Sequence, residues 1–314
     1  WVNQRGIMID PPPNSSQLLK ANHIPPSLIE AVIVTHCHAD HDAGTFQKIL
    51  TEGRITLLTT TTIMGSFLRK YSALSGLDQD FLQRIFAFRP VRIGATMKMR
   101  GALFKFFYSL HSIPCMGFEC SFGGKSIVFS ADHCNDPERI KALHREGVIG
   151  DGRRDELMNF PWHHDLILHE AGVPPIHTPM ATLAALPEDV KRRLLVVHVG
   201  EKDIPAGSGL RRAAQGVENT VVLDVEAPVD AGLMEALDLV SNIDLLSSLS
   251  LSHAREILQL TTRETFPAGS FIVRKGERGD TFHIIATGVA EIRVGRSKRS
   301  ARTPSRTSRG GAGG

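Results

Sequence analysis

The sequence predicts an α/β layered sandwich with helices on its outer faces, followed by a smaller β-rich unit. Three observations lead there. Short β-branched runs such as Ala31-Val32-Ile33-Val34-Thr35 alternate with helical stretches through the first 225 residues. Several of these runs end directly in His or Asp. Past Ala227-Pro228 the pattern changes to a long helical stretch, 233–260, and then to short strands separated by glycines. A boundary near Ala227 therefore separates a catalytic domain, 1–227, from a second unit, 228–295; 296–314 reads as a disordered basic tail.

In chain order, Gly6 to Asp10 reads as a buried strand closed by Pro11-Pro12-Pro13, and Ser15 to Ala21 as a short helix. The strand 31–35 runs into His36-Cys37-His38-Ala39-Asp40-His41, and a helix is predicted from Gly44 to Leu50. Ile55–Thr60 is a strand, 64–71 and 79–87 are helices, and 91–93, 97–99 and 103–110 are strand pieces. Cys115–Phe122 and Ser126–Ser130 form a hairpin about Gly123-Gly124. Then come a helix at 137–146, strands at 165–168 and 194–199, a helix at 180–193 broken near Pro187, and a last strand at 220–225.

Charge narrows the function classes. The chain of 314 residues has 36 basic and 33 acidic side chains, but six of the basic ones lie in Arg296–Gly314, which has no acid. The remainder carries 30 basic against 33 acidic residues, a net charge of −3. Such a body is a poor grip for long nucleic acid, whose affinity comes from phosphate neutralisation. DNA is thus excluded as a partner and RNA disfavoured. No apolar run is long enough to span a membrane. The four cysteines form no CxxC pair and no disulfide framework, so the cytoplasm is the expected compartment. The chain opens at Trp1, already inside a fold, and is read as lacking N-terminal strands.

The chemistry concentrates in one segment. Three His and one Asp fall within six residues, directly after a five-residue strand. Alternate residues of an extended segment point the same way, so His36 and His38 converge on one ion while Asp40 and His41 turn to a second. Imidazole suits zinc; the carboxylate also admits manganese or iron. Two ions about 3.5–4 Å apart can clamp the attacking and leaving oxygens of a phosphodiester. A polar surface loop rich in His is the plainer alternative.

Thr35-His36-Cys37-His38-Ala39-Asp40-His41 resembles the HxHxDH signature of the metallo-β-lactamase superfamily. The resemblance implies an αββα sandwich holding two divalent metal ions, zinc favoured. It implies His36, His38 and His111 on one ion, Asp40, His41 and His198 on the other, and Asp132 between them. It also implies a supporting rather than ligating role for Asp10. His169-Glu170-Ala171 resembles a motif of the superfamily's phosphodiesterases, ribonuclease Z included. On that likeness His169 acts near the leaving group, supported by Glu170, and Asp40, His169 and Glu170 are the candidate catalytic residues. The alternative is a buried structural His paired with Asp165 or Glu170. His133 reads as a bystander, and His163, His164 and His177 as pocket residues with no assigned role.

His111 and Asp132 are 21 positions apart, which leaves no room for the tRNA-gripping arm usual in ribonuclease Z. A small substrate follows. Phe266–Glu277 and Asp280–Ile292 resemble the first half of a cyclic-nucleotide-binding domain, with glycines at the turns of a β-roll. The two parts together resemble cyclic-nucleotide phosphodiesterases that join such domains. The implied activity is hydrolysis of a 3′,5′-cyclic nucleotide, cyclic GMP before cyclic AMP, to the 5′-monophosphate. A ribonuclease Z-like tRNA 3′-processing enzyme and an inactive binding protein are the alternatives. The module's phosphate-binding cassette is expected after Val294, where the chain instead turns to low complexity. A regulatory cyclic nucleotide is therefore expected only for a longer form that carries the cassette.

Overall fold

The computed structural model describes residues 1–2, 5–53, 55–226, 256–257, 260–286 and 288–293. The chain divides into two compact units, Trp1–Ser270 and Phe271–Gly314. The boundary expected at Ala227, most of the predicted 233–260 helix and the 296–314 tail lie outside the described residues.

The first unit contains two sheets. One is parallel, with β1 (Gly6–Ile9), β2 (Ile29–Ile33), β3 (Thr56–Thr59) and β4 (Ala87–Pro90) side by side in that order. The other has the order β10-β9-β8-β7-β6-β5. Its strands are β5 (Thr96–Met99), β6 (Ala102–Tyr108), β7 (Met116–Phe122), β8 (Lys125–Phe129), β9 (Leu166–Glu170) and β10 (Leu194–Val197). Strands β5 to β8 run antiparallel, and β8, β9 and β10 run parallel. A parallel sheet must be covered on both faces, hence the near-continuous apolar run of β2.

One apolar cluster joins the sheets. Val32, Ile33, Leu57 and Leu58 of the first pack with Phe104, Phe106, Met116 and Phe118 of the second, and with Ile63, Phe67 and Tyr71 of helix α3. Here α1 is Ser15–Ala21, α2 Ala39–Glu52, α3 Thr61–Ser75 and α4 Gln79–Arg84. Successive strand residues face opposite sides. Phe129 accordingly packs on this cluster while its neighbour Val128 joins a second one with Ile167, Leu183, Val190 and Val196. After α5 (Pro137–Arg145) and α6 (Asp151–Met158) in chain order, α7 (Met180–Ala184) and α8 (Glu188–Lys191) supply Leu183 and Val190 to that outer cluster. Among the described residues no helix is long and apolar enough to cross a membrane.

Several expectations need correction. Helix α2 begins at Ala39 rather than Gly44, so Asp40 and His41 stand on its first turn instead of in a loop. Its early start suits the two acids there, Asp40 and Asp42, which favour a helix N-terminus. The strand expected at 91–93 forms earlier, at Ala87–Pro90, starting at the last residue of the predicted helix 79–87, because β3 offers a parallel edge there. Residues 220–225 form no strand: the run is apolar, but no neighbouring edge pairs with it. The described residues of 263–293 likewise carry no strand, and Phe271, Phe282 and Ile292 are exposed. Their β-patterning has no partner edge among the described residues, and a strand without a partner leaves half its backbone groups unpaired. The turn chemistry is nonetheless present, with Gly269, Gly276 and Gly288 at positive φ.

Candidate active site

Five of the seven predicted ligands lie in loops just past the carboxyl end of a strand, while Asp40 and His41 stand on the first turn of α2. His36 and His38 follow β2, His111 follows β6, Asp132 follows β8 and His198 follows β10. The two sheets touch at this point, where the Met116 amide at the start of β7 donates to the Thr35 carbonyl (3.0 Å). That contact brings residues distant in sequence to one rim.

His36, His38, His111 and Asp132 each offer one ligand atom, and these atoms lie within 4.8 Å of one another; Asp40, His41 and His198 form a second such group. His38 Nδ1 is 3.1 Å from both His36 Nε2 and His111 Nε2. Asp132 stands between the groups, Oδ2 at 3.7 Å from His36 and from His111, Oδ1 at 3.5 Å from His41. His198 Nε2 is 3.5 Å from Asp40 Oδ2 and 4.0 Å from Asp132.

The donor chemistry fits cations. His36 is fully buried, and burial together with the neighbouring His41, His111 and His38 pushes it down to about 2. Burial also holds His111 below its ordinary value despite Asp132. Neutral imidazoles converging around carboxylates present lone pairs to one point, which is what a zinc-type ion requires.

Backbone strain marks the same rim. Asp10, Ala131 and His198 all take positive φ, which is uncommon for residues with a side chain and is retained where surroundings impose it. Asp10 explains its own position. Its carboxylate accepts from the Thr35 amide (2.8 Å), the Thr35 hydroxyl (2.5 Å) and His41 Nδ1 (2.9 Å). Its bond to Nδ1 orients His41, so His41 presents Nε2 to the centre. Burial lowers His41, but the Asp10 hydrogen bond and the negative charges of Asp10, Asp132 and Asp40 together outweigh it, and the imidazole ends above its ordinary value. From the other side Lys70 pins the loop, donating to the Cys37 carbonyl (3.0 Å) and to buried Asp42 (2.6 Å).

The structure separates the two halves of the His169-Glu170 motif. His169 is fully buried, stacked on Trp162 (5.2 Å) and against Phe160, with Nε2 on Asn135 (3.3 Å). Burial pushes it down to about 4. It has no solvent-facing edge and packs inside the fold instead of opening onto the rim. The side chain that reaches the rim is His177, to which the sequence reading assigned no role. It is about one-fifth exposed, with Nδ1 3.0 Å from Glu170 Oε2 and 3.9 Å from Asp132 Oδ2; its ring centroid lies 5.1 Å from that of His198. Glu170 also accepts from the Thr178 amide (2.9 Å) and the His133 amide (3.2 Å). Burial raises Glu170 to about 8 and lowers His177, so the pair shares a proton near neutrality. A Cβ on Gly172 would meet the His177 ring at 2.9 Å, so that glycine makes room for it. An imidazole seven residues after the Glu, behind Gly172, was the signal available in the sequence. His133 is no bystander to the fold: its Nδ1 accepts from the Leu110 amide (2.9 Å), fixing the strand end that carries His111.

Two facing sheets with this His/Asp centre along one rim make the chain a metallo-β-lactamase-type α/β protein, as the HxHxDH motif implied. The profile of the family described as "Anti-Pycsar protein Apyc1" matches residues 1–214, and the chain belongs to that family. Two relatives come from Dictyostelium discoideum. A "cGMP-dependent 3′,5′-cGMP phosphodiesterase A" is 48% identical over 96% of this chain and 34% of its own length. A "cAMP/cGMP-dependent 3′,5′-cAMP/cGMP phosphodiesterase B" is 36% identical over 92% of this chain and 26% of its own. The chain thus spans about a third or less of these relatives. Among solved structures, the metallo-β-lactamase fold protein YhfI of Bacillus subtilis is 14% identical, covering 67% of this chain and 82% of its own, with a TM-score of 0.45.

Proposed function

We propose that the chain is a metal-dependent phosphodiesterase that opens a 3′,5′-cyclic nucleotide, cyclic GMP in preference to cyclic AMP, to the 5′-monophosphate. The observation that carries the reading is the Glu170–His177 pair, a proton-holding couple set 3.9 Å from Asp132 in a rim of converging imidazoles. The 48% identity to a protein named as a cyclic-GMP phosphodiesterase supports the choice of substrate.

On this reading His36, His38, His111 and Asp132 hold one divalent cation, and Asp40, His41, His198 and Asp132 the other. Such cations supply Lewis acidity and a nucleophilic water at neutral pH; zinc suits the donors, and manganese or iron are the alternatives. His177 delivers a proton to the departing 3′ oxygen and Glu170 replenishes it. Asp40 and Asp132 keep the His41 and His198 rings turned inward. Val173 and Ile176, exposed on the loop that carries His177, form an apolar wall for the base. Residues 228–295 are read as the first part of a cyclic-nucleotide-binding module, supported by the positive φ of Gly269, Gly276 and Gly288. Four free cysteines, three of them buried, suit a reducing compartment such as the cytoplasm.

The test is hydrolysis of cyclic GMP and cyclic AMP by the purified chain, with bound metal assayed alongside and His38→Ala as control. Turnover that the control loses supports the reading and ranks the nucleotides. Two bound metals without turnover overturn it and send the search to other phosphodiesters, a tRNA precursor first.

A further inference from the structure

A second group of ligand-bearing side chains lies away from the catalytic rim. Glu119 on β7 and the consecutive His163 and His164, just before β9, each offer a ligand atom within 4.8 Å of the others. His164 is almost wholly buried; its Nε2 sits 3.0 Å from Glu119 Oε2, while its Nδ1 is buried with no hydrogen-bond partner. Without an ion, a proton on Nε2 bridges the ring to that carboxylate; a dication in place of that proton would be held by Nε2 and Glu119 Oε2 together. The His163 and His164 rings lie close, with centroids 4.3 Å apart. Glu119 and exposed His163 also line a cavity of about 520 Å³, with Lys105, Tyr108, Arg153 and Phe160, so an ion can enter from solvent.

We propose that Glu119, His163 and His164 form a third metal site, separate from the catalytic pair, which takes a transition-metal dication such as Zn²⁺. Two imidazoles and one carboxylate select such ions over Mg²⁺ or Ca²⁺, which prefer all-oxygen shells. The ion would clamp the 160–164 turn to β7. That turn is also held by Arg193, whose guanidinium donates to the carbonyls of Trp162 (2.8 Å) and His164. Phe160 and Trp162 on this turn are the floor against which His169 packs, so the clamp braces the catalytic loop from behind. Lys105, 3.6 Å from Glu119 Oε1, is the one opposing charge paired with this group among the described residues.

The experiment counts zinc. The metal-stripped chain is titrated with Zn²⁺, freed of excess by gel filtration and assayed for zinc per chain. His163→Ala, chosen because an exposed side chain can be removed without disturbing the fold, should bind one ion fewer than wild type, while Lys105→Gln should bind the same number more tightly. In a His38→Ala/His198→Ala background, zinc should still raise the melting temperature, and adding His163→Ala should abolish the rise. Equal zinc in wild type and His163→Ala, or a zinc-dependent rise that survives the triple substitution, overturns the proposal. Neither readout depends on catalysis, so failure of the phosphodiesterase reading leaves it intact.

Discussion

The loop after β2 and the loop after β9 face each other across the rim, and they are built on different principles. The first is short, buried and braced from both sides: His36 has no exposed surface, Asp10 holds Thr35 and His41, and Lys70 holds the Cys37 carbonyl. The second, 171–179, is held by the Gly172 amide on the Thr178 carbonyl, by Thr178 on Glu170 and by His177 on Glu170. Val173 and Ile176 within it are exposed, and His177 is partly so. A ligand cradle gains from rigidity, since convergence must be fixed before an ion arrives. On the proposed function, His177 and the apolar residues beside it meet a substrate that enters and leaves, and exposed loops allow that.

The contrast can be broken first at its rigid end. His36→Ala removes a fully buried ligand and should abolish both hydrolysis and at least one bound metal, as measured by elemental analysis and cyclic-GMP turnover; retained metal would mean the β2 loop is not the cradle. On the other loop, His177→Ala should cut kcat by about 10²–10⁴-fold, the range of a general acid, with metal content unchanged. His169→Ala should instead lower the melting temperature and leave the pH profile in place. The sign of that profile follows from Glu170. Its carboxyl, raised to about 8 by burial, keeps the pair protonated at neutral pH and gives up the proton as pH rises through that value. The rate should therefore fall above about pH 8, and Glu170→Gln should remove that limb.

Smaller effects sharpen the same contrast. Asp10→Asn should weaken metal affinity by about 10–100-fold, the usual cost of losing a partner that orients a ligand; isothermal titration would show it, and an unchanged affinity would make Asp10 a fold residue only. Smallest of all, Ile176→Ser should raise KM for the nucleotide by about tenfold or less, as expected for a lost apolar contact, without altering kcat.

Sequence reasoning went furthest where the chemistry is local. The six-residue stretch His36–His41 carries four of the seven proposed ligands, while His111, Asp132 and His198 came from the metallo-β-lactamase resemblance, since each alone is a weak signal. It failed where a role depends on burial. His169 and His177 are both imidazoles near a strand end, and only packing puts the first behind Trp162 and the second on the rim. It failed similarly at 220–225 and 263–293, where β-patterning was read correctly as composition but strand formation depends on an edge supplied by other residues.

By itself, then, the sequence determined the layered α/β class and the cluster of donors at His36–His41, because periodicity and side-chain chemistry are properties of neighbouring residues. Tertiary structure alone decided which His lines the rim and which is entombed, that Glu170 pairs with His177, and that Glu119 meets His163 and His164. These outcomes turn on desolvation and on distances between residues as many as 45 positions apart, and both are set only when the two sheets close.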